Sequence, residues 1–359
     1  MRKLIAAGLF TLLCLMAIGY LAWGISPPPK PAEGVPECKA LDPLETLLHS
    51  AEIKRPWHEG GLTIFPVVGI KPTGSLRKVL TLDEAMAKKV LAISELGSGQ
   101  VNRVIANNRS DNHIFMMAGE ALGGAKQDRM VGEDTLLPPH SRTQVPVWCV
   151  ERGRWTGVKE FHSRGFVAPS SVRQRAAESK SQTEVWESVA GVQHATRAPL
   201  GSLATVADSE EVKERTDPLR EHFTPLPKKR SDICGVVVAY GSEWLAADVF
   251  YDPSLFQRLW PKLLDSYLME ISGRHHHHGK PSVKDAETFL GQLFWAQRTA
   301  APTAGAGQRI ELRTGGVFGS ALIMGDSVVH LEAFPSANII PYPGTPPSLQ
   351  YRRDRHGRR

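Results

Sequence analysis

Residues 119–155 read GEALGGAKQDRMVGEDTLLPPHSRTQVPVWCVERGRW. Within this stretch Thr143–Val150 alternates as a strand does, with Val145, Val147 and Cys149 on one face and Trp148 and Val150 on the other. Upstream, Gly123-Gly124 predicts a bulge or tight turn between strands. Polar residues flank the pattern on both sides. Glu120, Gln127, Asp128 and Arg129 precede it, and Glu151, Arg152, Arg154 and Trp155 follow directly after it. If these strands pair as a meander, both clusters lie near strand ends and converge on one pocket.

Outward from this stretch, Gly61–Val68 is strand-like. Thr81-Leu82-Asp83-Glu84 is a capping box, and Leu82, Met86, Val90 and Ile93 give the helix after it one apolar face. Strands are expected at 101–106 and 114–118, a loop at 163–171, and helices at 181–197 and 209–216. Cys234–Tyr240 and Leu245–Tyr251 form a hairpin pattern. Asp252-Pro253 then opens a helix that buries Phe256, Leu259, Trp260, Leu263, Tyr267 and Ile271 and carries Pro261 as a kink. A helix at 282–297 and a hairpin turning at Gly325-Asp326 complete the chain. The order predicts an α+β fold whose N-terminal half is an antiparallel β-sandwich and whose C-terminal half consists of strand–helix units.

The basic excess sits at the two ends. Arg2 and Lys3 lie at the start, five arginines and Asp354 lie at 352–359, and the charges of residues 27–351 cancel. A nucleic-acid reader needs its basic footprint on the folded domain, so that class is excluded. Residues 4–25 are uncharged and long enough to span a bilayer, which predicts a signal anchor over 1–25 with the following domain exported. Cleavage after Gly24 would instead release a secreted protein. A proline-rich linker is expected at 26–43, a single globular domain at 44–345 and a basic disordered tail at 346–359. Cys149 and Cys234 stand in strand-like runs and read as buried core thiols, although export would permit a disulfide.

Several motif likenesses fail on physical grounds. The glycine-rich 119–126 segment lacks the Ser or Thr and the helix N-terminus of a phosphate loop. Ser75–Lys78, Ser110–Asn112 and Arg313–Gly315 imitate the penicillin-recognising signatures, but Lys78 precedes the capping box, so no helix holds the serine against it. His275–His278 lie in an exposed loop with no carboxylate or thiol to complete a metal shell. No metal, cofactor or catalytic residue is assigned.

Glu120, Gln127, Arg129, Glu151, Arg154 and Trp155 are therefore the candidate ligand-binding residues. Arginine forks suit phosphate or carboxylate, tryptophan stacks on a ring, and a buried glutamate binds hydroxyls or moves a proton. The competing reading is an internal salt-bridge network that locks strand ends. GEALGGAKQDR and the strand ending in PVWCVERGRW, with the earlier FPV and TLDEA, resemble the ARG and rhodanese-phosphatase-superfamily-associated domain family over roughly residues 60–335. That resemblance implies a role near ADP-ribose or NAD metabolism and supplies no catalytic residues. The functional expectation is recognition, or processing, of a small anionic ligand. The alternative is a non-enzymatic interaction or scaffold module at the cell envelope.

Overall fold

The computed structural model describes residues 42–71, 76, 79–97, 100–154, 160–274 and 279–336. The expected membrane helix, most of the linker, Ser75 and Lys78, Trp155, His275–His278 and the basic tail lie outside these residues. Among the described residues, no helix is long and apolar enough to cross a membrane. All of them belong to the contact unit that begins at Leu41.

The first half contributes β1 (Glu52–Ile53), β2 (Trp57–Glu59), β3 (Leu62–Val68), β4 (Leu80–Thr81), β5 (Leu91–Glu95) and β6 (Arg103–Asn108). It continues with β7 (Ile114–Met116), β8 (Glu120–Gly124), β9 (Arg129–Val131), β10 (Thr135–Leu137), β11 (Ser141–Cys149) and β12 (Glu160–Val167). The second half supplies β13 (Gly235–Tyr240), β14 (Glu243–Phe250), β15 (Gln297–Ala301), β16 (Gln308–Arg313), β17 (Val317–Met324) and β18 (Ser327–Pro335). Its longer helices, numbered with those of the first half, are α1 (Pro43–Ser50), α2 (Leu82–Ala87), α3 (Ser170–Ser179), α4 (Gln182–Thr196), α5 (Glu210–Phe223), α6 (Pro253–Ser272) and α7 (Val283–Gly291).

The fold is α+β with antiparallel sheets, but the expected sandwich is replaced by a barrel. Strands β5, β6, β8, β9, β11 and β12 close on themselves in the order β11-β6-β5-β12-β8-β9. Closure buries one side of every strand, so Val145 and Val147 pack inside with Leu91, Ile93, Val104, Ala106, Leu122, Val131 and Phe161. The alternation at 143–150 is the same for a sandwich and a barrel, and only the β9–β11 pairing, Val147 opposite Val131, decides between them. The division into halves also fails. β3 pairs with β13, Phe65 opposite Val237, and so belongs to a nine-stranded sheet otherwise built mostly from the C-terminal strands. β3 is buried along its whole length because its two faces serve different cores. Leu62, Ile64 and Val68 face α6, and Phe65 and Val67 face α1 and α7.

Local departures have local causes. The 81–84 capping box forms, but its helix ends at Ala87 rather than running on to Ile93. Lys89 takes φ 56° and the Val90 amide donates back to Ala85, a Schellman-type stop. The supposed loop at 163–171 is the end of β12 and the start of α3, and its loop-like composition marks a bulge between Ser163 and Val167. Asp42 and Pro43, read as linker, are the N-cap and first residue of α1. The 282–297 helix is α7 followed by a 3-10 turn at Gln292–Trp295.

A buried polar network joins these layers. Asp248, His330 and Glu332 lie on one face of the large sheet, as their registers require. His330 Nδ1 bonds Asp134 at 2.7 Å and its Nε2 bonds Asp248 at 3.1 Å. Arg173 of α3 donates to Asp248 and to Glu332, and the Tyr267 hydroxyl of α6 donates to Asp248. All six side chains are buried. Burial alone would lower the His330 pKa, but Asp134 and Asp248 raise it to about 10. The two cations are balanced by these two carboxylates, which leaves Glu332 as the third acid, and burial raises it to about 7.

The folded pKa of His330 lies above its unfolded value near 6.5. Its contribution is therefore complete below that pH and is lost as pH rises towards 10. Stability should fall over this window by up to about 1.4 kcal/mol per pH unit. His330→Gln should be less stable at pH 6 and show a flatter decline, as read from urea midpoints of both proteins between pH 6 and 10.

Candidate functional site

Because neighbouring barrel strands are antiparallel, β5, β8 and β11 end where β6, β9 and β12 begin. One end of the barrel therefore gathers Glu95, the 125–128 turn, Arg129, Cys149 and the segment 150–154. Four of the six candidates meet there: Gln127, Arg129, Glu151 and Arg154. Glu120 does not. It opens β8 at the opposite end, and Trp155 lies outside the described residues.

The centre of this cluster is Asp128, which the sequence had not marked as a ligand residue. Its Oδ1 accepts from Arg154 Nη2 at 2.9 Å and from the Gly124 amide at 3.2 Å. Its Oδ2 accepts from Arg164 Nη2 and Ser202 Oγ, both at 2.8 Å. Arg154 also forks onto Glu151, with Nε at 2.8 Å and Nη2 at 2.7 Å, and donates Nη1 to the Ala125 carbonyl at 3.0 Å. Hydrogen bonding to Glu151 and the charges of Glu151 and Asp128 raise the Arg154 pKa further, against a burial effect that lowers it. Glu151 accepts from the Asp128 amide at 2.7 Å, which ties the two motif segments together through the backbone. The β12 bulge presents Arg164, and Gly123 makes room for it. A Cβ at Gly123 would stand 2.4 Å from Arg164 Nε. Arg152 is exposed and lies over the Trp186 ring at 4.6 Å.

Gln127 bridges inward. Its Nε2 donates to the Glu151 carbonyl at 3.3 Å, and its Oε1 accepts from Arg129 Nη1 at 3.1 Å and Cys149 Sγ at 3.3 Å. Cys149 is a free, buried thiol whose single proton is shared between that oxygen and the nearer Glu151 carbonyl at 2.8 Å, while Gln182 of α4 pairs with its backbone. Cys234 is likewise free, and burial pushes its thiol up to about 12.

Arg129 differs from the other arginines of the cluster. It is 0% exposed, faces inward beside Leu122 and Cys149 by register, and has no carboxylate within ion-pair distance among the described residues. Nη1 has Gln127, but Nε and Nη2 have no protein partner. A buried cation held by one neutral hydrogen bond is costly, by several kcal/mol in general.

Glu120 serves another junction. Its Oε1 pairs with Lys262 of α6 at 2.5 Å and its Oε2 accepts from the Met117 amide at 2.9 Å. Lys262 also reaches Asp83 at 2.6 Å. Burial would lower the Lys262 pKa, yet the two acids raise it, so the lysine stays charged. Gly119, next to it, holds φ 89°, and a Cβ there would meet Arg173 Cγ at 2.7 Å. The glycine lets the network arginine pass and the glutamate fixes helix to barrel. Among the described residues, no group of three or more His, Cys, Asp or Glu has the arrangement of a metal site.

The family model for the ARG and Rhodanese-Phosphatase-superfamily-associated Protein domain matches residues 50–334, well over half the chain. Comparison with curated proteins and with solved structures found no match.

Asp128 carries four donors from four segments, so Asp128→Ala should destabilise the domain by about 2–3 kcal/mol. Arg154→Ala should cost less, because its side chain is 32% exposed and solvent screens its pairs. Urea melts of the two variants check the order.

Proposed function

The chain belongs to the ARG and Rhodanese-Phosphatase-superfamily-associated Protein domain family, and within it we propose that this domain recognises a small anionic ligand at the Arg129 end of its barrel. The supporting observation is the guanidinium itself. Arg129 is fully buried, and two of its nitrogens have no protein partner. A buried arginine that supported only the fold would be expected to sit against a carboxylate, as Arg173 sits against Asp248. Phosphate and carboxylate groups match the unpartnered side of the fork. ADP-ribose and related phosphate esters fall in this class.

The mutual pairing of Arg154, Glu151, Asp128 and Arg164 favours a second role for the remaining candidates. Paired with Asp128 and Arg164, Glu151 and Arg154 form a frame that ties the strand ends together, as the scaffold alternative expects. Gln127 connects frame and site by orienting Arg129. Nothing in this arrangement names a catalytic residue, and the proposal is one of recognition.

Replacing Arg129 separates the two roles by the sign of the stability change. If Arg129 is retained for a ligand, Arg129→Met removes an unpaired buried charge and should leave stability unchanged or raise it by about 1–4 kcal/mol. The same variant should lose the thermal shift that phosphate, sugar phosphates, ADP-ribose or NAD gives the parent protein. A stability loss with no ligand shift in either protein would assign Arg129 to the frame.

The apolar residues 4–25 support membrane anchoring with the domain on the exported side. Protease added to intact spheroplasts should then digest the domain, and carbonate washing should leave it with the membranes. Protection from protease together with release by carbonate would refute the anchor.

A further inference from the structure

A second buried polar group faces the same end of the barrel. Glu95 closes β5, and the strand's burial alternates so that Leu91, Ile93 and Glu95 all point inward. Glu95 is 8% exposed. Its Oε1 accepts from the Lys126 amide at 3.3 Å, and its Oε2 is buried with no protein partner. In the barrel order β5 and β9 stand three strands apart, which places Glu95 and Arg129 on opposite walls. They form no ion pair with each other within 4.0 Å, and neither has another charged partner within that range among the described residues. A lone acid and a lone cation, each more than nine-tenths buried and each with unpartnered atoms, thus face one another inside one barrel end.

We propose that Glu95 and Arg129 are the two poles of one recognition site, whose ligand is a small molecule with an anionic group at one end and a hydrogen-bond donor, hydroxyl or ammonium, at the other. This rests on the anion reading of Arg129 and adds the donor requirement. The chemistry of each pole sets the class. A guanidinium offers only donors and selects the anion, whereas the spare oxygen of Glu95 accepts and selects a donor. Size follows from the barrel. Eight strands enclose side chains or one small ligand, and six enclose less. Below the two poles the interior is filled by Ile93, Leu122, Val131, Val147 and Phe161. The recognised part of the ligand is therefore only a few atoms long. An ordered water between the poles is the competing occupant, because buried polar atoms without protein partners are commonly hydrated.

Calorimetry with methyl phosphate, glycerol 3-phosphate and O-phosphoethanolamine tests the pairing on the full chain. The parent protein should bind at least one of the two donor-bearing esters tenfold or more tighter than methyl phosphate. Glu95→Leu should abolish that preference by weakening the donor-bearing esters selectively, while Arg129→Met should abolish binding of all three. Glu95→Gln keeps the shape and an acceptor oxygen, which guards against misfolding of the leucine variant. It should lose a preference for the ammonium ester and keep one for the hydroxyl ester. Equal binding of all three esters, or an equal loss of all three in Glu95→Leu, overturns the donor pole and leaves the anion site standing. No binding of any ester to the parent protein overturns both and leaves water as the occupant.

Discussion

Arg173 bonded to Asp248 is the interaction on which the other parts depend. It joins a helix that follows the barrel to a central strand of the large sheet, and it does so where no water can substitute. His330 extends the contact to Asp134, whose other oxygen accepts from the Ala118 amide at 2.9 Å and so fixes the turn that launches β8. Gly119 then has to lack a side chain, because Arg173 occupies the place where one would stand. A single buried charge therefore dictates a backbone conformation, a strand start and the seating of a helix. Removing any one member leaves the others charged and unsolvated, so the network behaves as a unit.

The barrel end obeys the opposite logic. Its outer ring of Asp128, Glu151, Arg154 and Arg164 is closed upon itself, with the arginines about one-third exposed. Inside that ring Arg129 and Glu95 keep atoms without protein partners. One region thus contains both a frame that stabilises and a pair of groups that cost stability. Functional sites commonly show that combination, because a group held ready for a ligand cannot also be satisfied by the fold.

Much of this was legible in the chain. The alternation through Val145, Val147 and Cys149 showed which side chains are interior, and the Thr81–Glu84 capping box and the Asp252-Pro253 start located helix N-termini to within a residue or two. The same Asp-Pro signal at Asp42-Pro43 went unread because it adjoined a proline-rich run. Barrel closure was not legible, since it depends on β9 reaching β11 across one extra pairing that leaves the alternation unchanged. The candidate cluster was found in part. Gln127, Arg129, Glu151 and Arg154 do meet, whereas Glu120 was drawn in by its nearness in sequence although β8 carries it to the far end. Asp128 and Arg164 gave a weaker signal, one being a turn residue and the other hidden in a bulge. Arg173, Asp248, His330 and Glu332 are scattered along the chain and were invisible until the sheet registers brought them together.

The pairing of β3 with β13 has a consequence for how the protein is made. Val67 must wait for Gly235, and everything between them, barrel included, is synthesised first. β3 is apolar on both faces, so until its partner arrives it is a sticky, unpaired segment. The barrel strands are close in sequence and can close while the ribosome is still producing the helices. Biogenesis therefore splits into an early, local event and a late, long-range one. Lesions in β13–β18 should accordingly leave β3 unpaired and aggregation-prone, whereas lesions in the barrel should show before the large sheet exists.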